Sequence, residues 1–130
     1  MLSVLRTAAL AARENAYVHY SHFAVGAAVR VGDRIFSGAN IENASYGLSN
    51  CVERSAIFAA VSAGYTKLDE LLVIADTEGP VSPCRACRQV ISEFFPADAV
   101  ITLANVRGDS QQTTPQALLP GAFSKGDLNA

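Results

Sequence analysis

The chain has 130 residues, the size of one domain, with half of them hydrophobic and 17% charged, which excludes a disordered chain. Ten Lys+Arg against 12 Asp+Glu leave a net charge of −2 without a basic run, so a binder of nucleic-acid backbone is not expected. The longest apolar run is six residues, 56–61, against about 20 for a membrane span, and Arg6, Arg13 and Glu14 interrupt the alanine-rich start before a secretory core can form. The expectation is a soluble, cytoplasmic, single-domain protein over 1–130 with neither membrane nor nucleic acid as partner.

From the start of the chain, Val4, Leu5, Ala8, Ala9, Ala12 and Ala16 recur at helical spacing, predicting a helix over 3–16 with Ser3 as N-cap. From Phe23 the period becomes two, with Phe23, Val25, Ala27, Val29 and Val31 on one face of a strand. Gly32-Asp33 is a two-residue hairpin turn, and residues 34–37 return antiparallel. Residues 38–50, rich in Asn and Ser, carry no period and are expected to be a loop.

A second helix is predicted over 51–63, with Ile57, Phe58, Ala60 and Val61 at helical intervals and Gly64 at its C-terminal cap. Residues 71–75 are a continuously apolar strand, the pattern of one covered on both faces. After a loop over 77–83 comes a helix over 85–95 with Ala86, Val90, Ile91 and Phe94 on its apolar stripe, then a strand over 99–104. A polar stretch, 108–114, precedes a helical turn at 115–119 and an exposed tail. A hairpin feeding β-α-β units predicts an α/β fold, a three-layer α/β/α sandwich around a mixed sheet.

The three cysteines are an odd count, which argues against a disulfide framework and leaves two readings, inert buried thiols or reactive ones. Cys51-Val52-Glu53 opens one predicted helix, and Pro83-Cys84-Arg85-Ala86-Cys87 opens the next. Helix N-termini favour thiolate, the form that binds zinc. Cys84 and Cys87 can face one metal, and Cys51 becomes a third ligand if the two helix starts adjoin. Three protein ligands leave one tetrahedral position open, the arrangement of catalytic zinc. Glu53, two residues from a ligand, is placed to exchange protons at that position. Cys-x-Glu followed by Pro-Cys-x-x-Cys is the three-cysteine form of the zinc deaminase signature.

The sequence further resembles the homotetrameric cytidine deaminases with three cysteine ligands. The likeness runs through Tyr20-Ser21-His22-Phe23-Ala24-Val25-Gly26-Ala27-Ala28, Asn40-Ile41-Glu42-Asn43-Ala44-Ser45-Tyr46-Gly47, Cys51-Val52-Glu53-Arg54, Pro83 to Val90 and Leu118 to Phe123. The resemblance implies Zn²⁺ on Cys51, Cys84 and Cys87, with Glu53 as the catalytic proton shuttle. It implies Asn40 and Glu42 on the ribose hydroxyls and Phe23 against the pyrimidine. Tyr46 and Phe123 would reach the base site of a neighbouring subunit in a homotetramer, and Arg54 would tune the metal site through the ligand sulfurs. The implied reaction is hydrolytic deamination of the free nucleosides cytidine and 2′-deoxycytidine, releasing ammonia, a step of pyrimidine salvage.

Three positions depart from the family pattern: Val52 for alanine, Arg85 for glycine, and His19 for proline. Plainer readings stand beside the functional ones. A redox cysteine pair, or a structural zinc site completed by His19 or His22, is the rival for the cysteines. Glu53 by itself would be an exposed acid favoured by the helix dipole. Asn40 and Glu42 by themselves would be turn residues, and Phe23 a core residue. The alternative activities are deamination of another cytosine-bearing compound, such as a nucleotide recognised through Arg85 or Arg88 or a nucleoside antibiotic, and a non-catalytic zinc-stabilised interaction module.

Overall fold

The computed structural model describes residues 2–44, 51–77 and 85–118. Within them the order is α1 (Leu2–Arg13), β1 (Val25–Val31), β2 (Arg34–Ala39), α2 (Val52–Ser62), β3 (Glu70–Ala75), α3 (Arg85–Phe94), β4 (Val100–Asn105), β5 (Ser110–Thr113) and α4 (Pro115–Leu118). The strands form one sheet in the order β2-β1-β3-β4-β5. β1 is antiparallel to β2 and β3, β3 is parallel to β4, and β4 is antiparallel to β5. The mixed sheet follows from the connections. Gly32 in the left-handed region (φ 61°) closes the β1–β2 hairpin tightly, whereas parallel neighbours need a crossover, which α3 supplies between β3 and β4.

Helices cover both faces. Leu5 and Ala9 of α1 bury themselves against Ala28, Leu72 and Ile74. On the other face, Val52, Ala56, Ile57 and Ala60 of α2 and Ile91 of α3 meet Val25, Ala27, Val29, Leu71, Val73 and Ile101. β3 is therefore apolar at every position from Leu71 to Ala75, because alternate side chains enter different cores. The predicted three-layer α/β/α sandwich is the observed one.

Two glycines set the layer spacing. A Cβ on Gly26 would lie 2.0 Å from the Ala9 carbonyl oxygen of α1, and one on Gly38 would lie 2.7 Å from the Ala56 nitrogen of α2. Each helix rests on a strand where a side chain is missing. The C-terminus of α2 is closed as expected. Gly64 takes φ 101°, its N–H donates to the Val61 carbonyl at 2.9 Å, and the Tyr65 N–H reaches back to Ala60 at 3.1 Å, a Schellman cap.

Several expectations are corrected. α1 begins at Leu2, so Ser3 lies inside the helix rather than at its cap, and the helix ends at Arg13 with three-residue turns carrying the chain to Ala16. β1 starts at Val25, after Phe23, which is exposed; its residues Val25 to Val29 are buried on both faces rather than one. β2 runs on to Ala39. The polar stretch near 110 forms β5, an edge strand whose mostly exposed residues pair with β4 through backbone alone, so it shows no apolar alternation. Val4 and Phe58, at helical spacing in the sequence, are exposed.

Candidate active site

Among the described residues, the topology brings Phe23, Asn40, Glu42, Cys51 and the start of α3 to one end of the sheet. Val25 at the start of β1 pairs with Ala75 at the end of β3, Gly26 pairs with Ala39 at the end of β2, and Ala75 pairs with Asn105 at the end of β4. Phe23, Asn40 and Glu42 flank these positions. α2 leads into β3 and α3 into β4, so both helices run against those strands and start at the same end. They are also neighbours on one face. Cys51, at the N-cap of α2, and Cys87, in the first turn of α3, therefore belong to the same end of the molecule. Ligands of α/β proteins commonly bind beyond the carboxyl ends of parallel strands, where helix N-termini converge.

Cys51 has an extended backbone (φ −68°, ψ 154°), which lets α2 begin at Val52 and leaves its thiol half-buried. Arg54, one turn on, donates from Nη2 to Cys51 Sγ at 3.4 Å. Glu53 is only 4% exposed. The plainer reading of Glu53 as a solvated acid in the first helical turn therefore fails: the carboxyl lies within the fold, beside Val52, which packs into the α2–α3 core despite being larger than the family's alanine. Cys84 lies outside the described residues, as does the side chain of Cys87, and among the described residues three metal-binding side chains do not gather. The donor set nonetheless suits zinc: a cysteine sulfur accepts a hydrogen bond from a guanidinium at a helix N-terminus, and two further cysteines belong to the segment that opens the adjoining helix.

Beside this end runs a tightly bonded double segment. Tyr17 forms an isolated parallel bridge with Ile41, through Tyr17 N–H to the Asn40 carbonyl (3.1 Å) and Glu42 N–H to the Tyr17 carbonyl (2.8 Å). Asn40 clamps the start of β1: its Oδ1 accepts the Val25 N–H at 3.0 Å and its Nδ2 donates to the Phe23 carbonyl at 2.8 Å. Glu42 accepts the N–H groups of Tyr20 (3.1 Å) and Ser21 (2.9 Å) and the Ser21 hydroxyl. The Ser21 hydroxyl foremost, then the Ser21 N–H, holds its carboxyl below the usual carboxylate range. Glu42 is thus ionised through the neutral range, and its bonds weaken only as the pH falls through that lowered value. His22 adopts φ 57° between these anchors, a left-handed turn that leaves Phe23 41% exposed at the strand's entrance. Asn40 and Glu42 both hold the loop that presents Phe23, as the turn-residue reading expects.

His19, which departs from the family proline, stacks on Tyr17 with ring centroids 5.3 Å apart and meets Tyr20 edge-on. Arg88 donates to the Leu118 carbonyl at 3.2 Å, tying α3 to α4. Arg85 has no described side chain, and Tyr46 and Phe123 lie outside the described residues.

Sequence reasoning missed two positioning residues. Buried Asn105 accepts the N–H groups of Arg107 and Asp109 and donates to the Thr77 carbonyl at 2.9 Å, fastening the β4–β5 turn to the chain leaving β3. Arg13 donates from Nε to the Ala24 carbonyl at 3.0 Å. An apolar strand ending in Asn was the visible signal for the first, whereas nothing local marked the second.

A family model described as the cytidine and deoxycytidylate deaminase zinc-binding region matches residues 2–103. The chain is 56% identical over 119 residues to a cytidine deaminase of Sporosarcina psychrophila, covering 91% of this chain and 88% of that one. It is 54% identical over 122 residues to a cytidine deaminase of Halalkalibacterium halodurans, covering 93% and 92%. Its fold matches the crystal structure of cytidine deaminase from Burkholderia pseudomallei with a TM-score of 0.91 and 47% identity, over 95% of this chain and 99% of that one. With Cys51 capping a helix, Glu53 buried behind it and a zinc-binding family model spanning both, the chain belongs to the cytidine and deoxycytidylate deaminase family of zinc enzymes.

Proposed function

We propose that the chain, as a single catalytic domain over 1–130, converts cytidine and 2′-deoxycytidine to uridine and 2′-deoxyuridine with release of ammonia. Cys51, Cys84 and Cys87 would hold Zn²⁺, which supplies an electrophilic centre that makes water nucleophilic at neutral pH. Glu53 takes up a proton from the attacking water and delivers it to N3 of the pyrimidine, making C4 electrophilic. The water oxygen bonds to C4, Glu53 takes the remaining proton of that oxygen and passes it to the exocyclic nitrogen, and the C4–N bond breaks to free ammonia and leave the C4 carbonyl. Asn40 and Glu42 receive the ribose hydroxyls and Phe23 packs on the base. Arg54 offsets the thiolate charge. The protein works as a cytoplasmic homotetramer in pyrimidine salvage, with Tyr46 and Phe123 completing a neighbour's site.

The observation that carries this reading is the burial of Glu53 one residue into a helix capped by Cys51. A carboxyl bears the cost of leaving water only where it is paired or used, and a purely structural metal site has no need of one. Glu53→Gln is the test. It should keep zinc, measured per chain, and lose about 10²–10⁴ in ammonia release from cytidine. Turnover above a tenth of wild type with zinc retained would overturn the proton-shuttle role. Comparing cytidine with its monophosphate in the same assay separates a nucleoside enzyme from a nucleotide one.

A further inference from the structure

Ser21 stands between two residues of the nucleoside site. Its hydroxyl donates to Glu42 Oε2, and its Oγ accepts the Phe23 N–H at 3.1 Å. A hydroxyl has one hydrogen and two lone pairs, so both bonds are made at once. Glu42 Oε1 is already occupied by the Tyr20 and Ser21 N–H groups. The remaining acceptor capacity of the carboxylate is therefore centred on Oε2, the oxygen whose direction Ser21 sets. On the far side of Phe23, its carbonyl is taken by Asn40 Nδ2. The Phe23 residue is thus held at its N–H by Ser21 and at its C=O by Asn40, directly after the left-handed turn at His22.

We infer that Ser21 is a positioning residue for the nucleoside: its single hydroxyl fixes the Glu42 carboxylate and the Phe23 backbone relative to each other, so that sugar and base are received by one preorganised loop. The inference rests on the reading of Glu42 as a ribose ligand and Phe23 as a base contact. The physical reason is preorganisation. Tyr20, Ser21 and Phe23 are all exposed, so without this relay a solvent-facing loop would have to be ordered each time substrate binds, at the expense of affinity. A serine whose hydroxyl served only a surface turn would leave substrate binding unchanged when removed.

The test compares Ser21→Ala, Ser21→Thr and Glu42→Gln in the zinc-loaded full chain, with thermal unfolding as a check on folding. For Ser21→Ala the KM for cytidine should rise about tenfold, the scale of one hydrogen bond to a charged group, with kcat within about twofold of wild type. Ser21→Thr, which keeps the hydroxyl, should stay within about twofold on both. Inhibition by 2′,3′-dideoxycytidine, which offers Glu42 no ring hydroxyl, should weaken no more than about threefold in Ser21→Ala. If Glu42→Gln raises the cytidine KM but Ser21→Ala does not, the role of Ser21 is refuted and the ribose assignment stands. If neither variant moves KM, both fall together. Equal losses in the alanine and threonine variants, or a fall in kcat as large as the rise in KM, would make Ser21 a packing position and refute the inference. Should Ser21→Ala fail to fold, Ser21→Cys, similar in size and a poor hydrogen-bonding group, is read against the same outcomes.

Discussion

Charge around Cys51 decides what its sulfur can do. In the proposed site, three cysteine thiolates on a divalent zinc would leave −1, and the Glu53 carboxylate would add to it. The N-termini of α2 and α3 return about half a charge each, which offsets the metal centre but not the carboxylate. The Arg54 guanidinium, permanently protonated and donating to Cys51 Sγ, would supply the balance in the proposed metal site. Arg54→Gln should therefore keep the fold, as read by thermal unfolding, and lower kcat about tenfold or more with KM nearly unchanged. Arg54→Lys should recover only part of the loss, because an ammonium restores charge without the planar fork. Kinetics and zinc content identical to wild type in Arg54→Gln would show that the arginine is incidental to the metal.

At the scale of elements, the site depends on where α2 is seated. The helix presents Val52, Ala56, Ile57 and Ala60 to the sheet, and its first turn carries Cys51 and Glu53 to the strand ends. Gly38 is the floor of that seat, since a Cβ there would press on backbone and Cβ atoms of Ser55 and Ala56 at 2.7–2.8 Å. Backbone cannot turn aside as a flexible side chain can. Gly38→Ala is expected to destabilise the fold by about 1–3 kcal/mol, the usual cost of overpacking, and to lower activity of the folded fraction by lifting the start of α2. Gly32→Ala, in open space at the hairpin turn but at positive φ, provides the contrast: it should lose stability through backbone strain alone and leave the kinetics of folded protein unchanged. Urea unfolding beside cytidine turnover distinguishes the two. Loss of stability in Gly38→Ala with wild-type kcat and KM would show that the seat of α2 does not govern the site.

The molecule as a whole leaves large apolar groups in water. Tyr17, Tyr20, Phe23, Ile41 and Phe58 are each between 41% and 51% exposed, more than scattered surface residues require. Four of them cluster on the segments around the candidate nucleoside site, which accords with a site completed by another subunit. Arg88 anchors Leu118 to the α3 side. Removing residues 121–130 should raise the KM for cytidine about tenfold or more and leave zinc per chain intact, because the cysteines are untouched. Sedimentation with simultaneous assay tests the shared site directly. A fully active monomer at high dilution would contradict it. Among the described residues no helix is long and apolar enough to cross a membrane.

Much of this architecture was legible in the residues. The period of two in β1, the unbroken apolar run of β3, the Gly32 turn and the Gly64 cap are local signals, and local backbone preferences settle them. The Cys-x-Glu and Cys-x-x-Cys spacings announced zinc chemistry for a similar reason: they are short-range patterns read directly from the chain. β5 was invisible because an exposed edge strand is held by backbone pairing with β4, and backbone bonds leave no side-chain pattern. The burial of Glu53, the clamp of Asn40 on Phe23 and Val25, and the relay through Ser21 depend on segments 15–21 residues apart, or on packing against a sheet that the sequence does not display. The sequence by itself determined the elements other than β5 and the metal-binding chemistry, since both are written in short-range spacing. Only the tertiary structure decided which of those residues share one end of the sheet, because strand order and register arise from non-local burial.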